Sequence, residues 1–210
     1  MTIEFTHDDI SNEELERREA VYGPLAAAVR ELVDATIRTK VADEDIRAAQ
    51  SEIEAIVERL RAEQLPGPAG VRYNSDARSW SWGNAAIGLR NAVAPPMTVI
   101  HDSPGHTHAD VTLGAAYEGP PGLVHGGVSA LLLDHVMGET GSAGFTRATF
   151  TGTLTLRYRR GTPLGPIRLE AHIDREEGRK VYVVASISDS EGITVEADGV
   201  FIIPADRFEQ

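Results

Sequence analysis

Hydrophobic positions in the first third of the chain recur at helical intervals. Leu25, Val29, Leu32, Val33 and Thr36–Ile37 fall three and four residues apart, which predicts a helix over residues 12–39, broken or restarted at Gly23-Pro24. Asp43-Glu44-Asp45 then places acids where a helix dipole favours them, and Ile46, Ala49, Ile53, Ile56, Val57 and Leu60 follow as one apolar stripe. Two amphipathic helices joined by a short turn cannot bury their stripes alone. They are expected to pack on each other, on the rest of the chain, or on a second subunit.

The run Leu65-Pro66-Gly67-Pro68-Ala69-Gly70 reads as a linker, and after it β-branched residues rise while helical periodicity becomes rare. Strands are expected at Met97–His101, Ala109–Ala115, Ala148–Arg159, Ile167–Asp174, Val181–Ser188 and Thr194–Ile203, the last four as a near-continuous antiparallel meander. This divides the chain into a helical extension over 1–65, a connecting segment over 66–89 and a second domain over 90–210. Within that domain Gly126 to about Gly138 reads Gly-Gly-Val-Ser-Ala-Leu-Leu-Leu-Asp-His-Val-Met-Gly, apolar on nearly every side, as a helix buried inside a sheet should be. The simplest architecture is α+β: a curved antiparallel sheet wrapped around one central helix.

Composition narrows the chemistry. With 210 residues, 41% of them hydrophobic, the chain is an ordinary globular one, and its formal net charge of -12 disfavours attraction to nucleic acid or an anionic membrane. The absence of cysteine removes disulfides, thiolate metal sites and a cysteine nucleophile together. Met-Thr-Ile-Glu-Phe-Thr-His-Asp-Asp has no basic region followed by an apolar one, and no apolar run reaches the roughly 18 residues of a membrane span, so a cytoplasmic protein is expected. Residues 1–65 hold 16 acids and 8 bases, which leaves residues 66–210 far closer to neutral.

Asp134 stands out on the central helix. Ala130, Leu131, Met137 and Gly138 occupy the positions three and four residues away, so no local base pairs with it. It either points to a subunit surface or a distant arginine, or serves as a general base or nucleophile at the edge of an apolar cavity. At the start of the same helix, Gly126 and Gly127 offer backbone N–H groups that a substrate oxygen can approach, which suits an oxyanion hole; close packing is the other reason for two glycines there. Gly126 and Asp134 lie eight residues apart, about 12 Å along a helix. The two can act on one carbonyl only from different subunits, which calls for a homodimer with paired sites.

Glu118-Gly119-Pro120-Pro121-Gly122-Leu123-Val124-His125-Gly126-Gly127, followed by Leu132-Leu133-Asp134 and Met137-Gly138, resembles the hotdog-fold acyl-CoA thioesterases, nearest the PaaI-like branch and the mammalian thioesterase superfamily members that share the Glu-Gly-Pro-Pro-Gly lead-in. The resemblance covers roughly residues 90–204. It implies a hotdog domain in which the Gly126 amide polarises a thioester carbonyl and Asp134 from the partner subunit acts as base or nucleophile. His125 is similar to the histidine flanking the oxyanion position, where it serves to position the loop or as a structural histidine. Thr151 aligns with a threonine that helps hold the attacking water, though threonine is also an ordinary strand residue. Two departures stand out: Tyr117 to Val124 holds no asparagine, and Gly161-Thr162-Pro163 replaces a proline after the basic pair.

The substrate implied is an acyl-CoA, with no separate cofactor. Between Arg157 and Lys180 there are seven bases against four acids, and Arg159, Arg160, Arg179 and Lys180 are expected to hold the phosphates of coenzyme A, unless they form an ordinary solvated strand edge. His101, His106 and His108 surround the turn Ser103-Pro104-Gly105 without a pattern of further ligands, so no metal is expected. Trp80 and Trp82 are expected to cover the core or the helices. The reading is therefore an acyl-CoA thioesterase, a homodimer or a dimer of dimers. Its rivals are a non-catalytic acyl-CoA-binding or regulatory protein on the same fold and an enoyl-CoA hydratase, the latter disfavoured by the adjacency of Asp134 and His135.

Overall fold

The computed structural model describes residues 6–76 and 78–205; Met1–Phe5, part of the stretch expected not to be a leader, lies outside the described residues. The chain forms two compact units, Met1–Ala92 and Val93–Gln210.

In the first unit, strand β1 (Thr6–His7) leads into helix α1 (Asn12–Arg38), followed by α2 (Asp43–Arg61) and the short strands β2 (Arg72–Tyr73) and β3 (Ser79–Trp80). Ser11 caps α1 by accepting the Glu14 N–H at 3.1 Å. The helix runs without a break through Pro24, where a break or restart was expected. A proline ring removes one backbone donor and crowds the side chain before it, and Gly23 has none. β1 pairs parallel with β2, which pairs antiparallel with β3. Trp80 and Trp82 are buried against Leu15 of α1, with Ile10, Tyr22 and Leu89 around them.

The second unit holds β4 (Ile100–Ser103), β5 (His106–Leu113), α3 (Gly126–Gly141), β6 (Phe150–Tyr158), β7 (Gly165–Glu177), β8 (Lys180–Asp189) and β9 (Gly192–Ile202). The strands form one antiparallel sheet in the order β4-β5-β7-β8-β9-β6. Only β7, β8 and β9 make the expected meander. β6 instead pairs with β9 and becomes an edge, and Arg159–Leu164 spans the three inter-strand spacings of about 4.8 Å each that separate it from β7. With α3 packed on this sheet, the arrangement is the hotdog fold.

α3 is not buried all round. Ser129, Leu132, Leu133, Val136, Met137 and Thr140 form one arc sealed against the sheet, while Leu131 is exposed and Asp134 only half-buried. A single sheet with an open edge covers one side of a helix and leaves the flank facing β6 accessible. Opposite the arc stand the inward residues of the strands, among them Leu169, Val183, Val195 and Phe201. Among the described residues no helix is long and apolar enough to cross a membrane. Leu133→Ala is expected to destabilise the fold by about 3 kcal/mol, read as a lower urea midpoint with an unchanged slope.

Candidate active site

The first turn of α3 is held from outside the helix. In the loop before it, Glu118 accepts the Gly122 N–H at 2.7 Å, Gly119 N–H donates to the Leu123 carbonyl at 2.9 Å, and His125 N–H donates to the Tyr117 carbonyl at 2.9 Å. A Cβ on Gly119 would lie 2.7 Å from the His125 Cα, so no larger residue lets the loop close. His125 then caps α3, its Nδ1 accepting the Gly127 N–H at 3.0 Å. The Tyr158 hydroxyl donates to the Gly126 carbonyl at 2.8 Å. Tyr158 and His125 thus grip the oxygen and the N–H of one peptide unit from two sides. The Gly127 N–H, expected as a second substrate donor, is engaged by His125.

What remains is the Gly126 N–H, which has no hydrogen-bond partner among the described residues. It sits at the positive end of the helix dipole. Beside it lies a cavity of about 370 Å³ lined by Gly126, Ser129, Tyr158, Arg160, Leu123 and Val124, among others. A free, fixed donor opening on such a space is suited to an oxyanion.

Asp134 sits on the flank of α3 that faces β6, where the Thr151 hydroxyl donates to its Oδ1 at 2.8 Å. A break in strand register brings the two together. Thr151 pairs with Phe201 and Thr153 with Val200, so Gly152 is an extra residue opposite nothing on β9. In an unbroken strand Thr151 would share the outer face with Thr153 and Thr155; the bulge turns it to the helix side with Leu154, Leu156 and Tyr158. A glycine inside a strand pattern is the signal that would have revealed this. Tyr158 was missed as well, although it continues the same inward period of two and ends in a polar group.

Gly126 and Asp134 occupy one uninterrupted helix, so the separation of about 12 Å stands. Both open toward the side of the unit bounded by β6.

The basic stretch looks different in three dimensions. Arg157 pairs with Asp198, Arg159 with Glu196 at 2.6 Å, Arg168 with Asp110 at 2.8 Å and Arg175 with Asp174 at 2.8 Å. Arg160 binds Asp189 through Nη1 at 2.8 Å and holds that carboxyl down at about 2. Most of these acids come from neighbouring strands and turns outside the segment in which the local excess was counted. Arg179 donates to the Ile203 carbonyl, and Lys180 is exposed beside Glu177. The register separates the four expected phosphate ligands into two pairs. Lys180 lies level with Ile202 and Phe150, whereas Arg159 and Arg160 follow Tyr158 at the other end of the strand.

The turn histidines are tied to carboxylates. His108 and His106 both hydrogen-bond Asp102, at 2.7 and 3.0 Å, and His108 above all holds that carboxyl below its ordinary range. His101 and His135 meet the two oxygens of Glu139 at 3.0 and 2.9 Å, on the flank of α3 away from Asp134.

Comparison with known proteins follows the same lines. Residues 121–196 match the thioesterase superfamily model. The chain is 34% identical over 92 residues to acyl-coenzyme A thioesterase THEM4 of Xenopus laevis, covering 42% of this chain and 41% of that protein. With THEM5 of Mus musculus it shares 27% identity over 139 residues, 64% of this chain and 55% of that one. The chain therefore spans about half the length of these curated relatives. The crystal structure of RHA08564, a thioesterase superfamily protein, superposes with a TM-score of 0.76 at 33% identity, covering 86% of this chain and 94% of that one. That coverage extends into the first unit as well. On a likeness of this length and identity, together with the hotdog sheet and its central helix, the chain belongs to the thioesterase superfamily.

Proposed function

We propose that the chain hydrolyses acyl-CoA thioesters to a free acid and CoA at two equivalent sites shared across a homodimer. The observation that carries this reading is the pairing on α3 of a free Gly126 N–H with the Thr151-oriented Asp134 carboxylate, both on the open β6 side. β6 is an edge strand with unpaired backbone groups along its outer side. Pairing it antiparallel with β6 of a second copy, centred on Leu154, sets Thr151 opposite Arg157 of the partner subunit. This carries Asp134 toward Gly126 of the partner subunit, which Tyr158 of that subunit holds. The same two-fold brings Arg159 and Arg160 of one chain to the end where Arg179 and Lys180 of the partner subunit lie. Surface ion pairs such as Arg159–Glu196 contribute little, so exchanging a carboxylate for a CoA phosphate there costs little.

In this site the thioester oxygen accepts the Gly126 N–H as negative charge develops on it. Asp134 of the other chain either takes a proton from water as it attacks the carbonyl carbon, or attacks that carbon itself to give a mixed anhydride that water then opens. In both routes the C–S bond breaks and CoA leaves as its thiolate. Thr151 holds Oδ1, leaving Oδ2 to do the chemistry. His125 and Tyr158 keep the donor aimed at the place where the oxyanion forms.

Asp134→Asn is expected to lower kcat at least about 100-fold while KM for acyl-CoA changes little, measured by release of free thiol. Parental turnover in that variant overturns the assignment, and saturable CoA binding by the parent without any thioester cleavage favours the non-catalytic alternative. Tyr158→Phe, which removes only the hydroxyl that grips the Gly126 carbonyl, is expected to lower kcat about tenfold with KM and Tm nearly unchanged. The sharing of sites has its own check. Mixing inactive Asp134→Asn chains with inactive Gly126→Val chains is expected to restore about a quarter of parental activity, since half of random dimers carry one intact site of two. Demonstrated heterodimers without activity would place the whole site in one chain.

A further inference from the structure

The stripe of α1 is covered only along its first half. Leu15 and Tyr22 lie against Trp80 and Trp82, but beyond the buried Ala26 the same face emerges into the open. α2 has no buried residue at all. Leu25 is 40% exposed, Leu32 38%, Ile37 53%, Ile46 43%, Ile56 47% and Leu60 49%. With Val21, Val29, Val33 and Val41 added, the uncovered apolar surface is on the order of 800 Å² per chain. It matches the share of about 800 Å² that one partner gives to a standard interface.

We infer that this face docks a second copy of the same chain, α1 and α2 of each packing together as a four-helix bundle. The spacing on α2 is that of an interhelical seam, since Ile46, Ala49, Ile53, Ile56 and Leu60 alternate three and four residues apart. The charges complement themselves under two-fold symmetry. The first turn of α2 carries Asp43, Glu44 and Asp45, and its last turn carries Arg59 and Arg61. An antiparallel alignment that sets Ile46 against Ile56 and Ala49 against Ile53 lays Asp45 along the flank of Arg59 of the partner subunit and Asp43 along the flank of Arg61 of the partner subunit. Such a contact is isologous and closes on itself. A net negative helical unit suits neither a membrane surface nor a polyanion. The contact needs no residue of β6 and stands whether or not that edge pairs.

Because the chain has no cysteine, Ser51→Cys on the exposed side of α2 gives a single labelling position. Spin labels there, on the full chain, are expected to show an intermolecular distance between about 20 and 40 Å, the span of neighbouring helices in a bundle plus the label arms. Dilution with unlabelled chain should weaken the signal. Leu32→Glu combined with Ile56→Glu is expected to abolish it, whereas Leu32→Met combined with Ile56→Leu should preserve it. No intermolecular distance in the otherwise unaltered chain overturns the inference and points to coverage by the chain itself or by another protein. A distance that survives both glutamates also overturns it, and assigns the association to another face such as β6.

Discussion

A straight helix advances about 1.5 Å per residue whatever its sequence, and α3 is held straight by the arc it buries. Leu132, Leu133, Val136 and Met137 are sealed from water against the strands, so the helix cannot kink to bring Gly126 and Asp134 together without opening that core. Gly126 and Asp134 are therefore fixed at a separation too great for one carbonyl to bridge. In the proposed dimer each chain supplies half of two sites, and a packing constraint in the core decides the number of chains the reaction needs.

Around this rod the sheet has two unlike borders. On the β4 side the flank of α3 is closed by Glu139, which His101 and His135 approach from either side. On the β6 side the flank carries Asp134 and stays open. The polar groups on the open side hold backbone and carboxylate in place, through Tyr158, His125 and Thr151, and leave one N–H and one carboxylate oxygen without a partner among the described residues. Such groups are expensive to leave unsatisfied once water is excluded, which is why they are suited to transition-state charge.

Features written in consecutive residues were the legible ones. The 3.6-residue period marks α1 and α2, the apolar run from Gly126 marks α3, and an unpaired acid on an apolar helix singles out Asp134. Features that depend on what lies across a strand were not legible. The strand order is one of these, since nothing in consecutive residues places β6 beside β9 rather than β7. The positive stretch from Arg157 to Lys180 is real as a count, yet four of its seven charges are met by Asp110, Asp189, Glu196 and Asp198, which lie outside it. Tyr158 acts through a contact with a residue 32 positions earlier, and no local pattern records such a partner.

Facing in a β-strand is a matter of odd and even. Gly152 alters that parity once, so every residue of β6 before it answers to the opposite rule from every residue after it. Thr151 owes its place at the carboxylate to this count rather than to its own chemistry. A strand that paired Gly152 regularly, with no bulge, could keep its composition and its threonine, and would present the hydroxyl to solvent. The same residues in the same order would look equally equipped in either pairing, although only the bulged one orients the carboxylate.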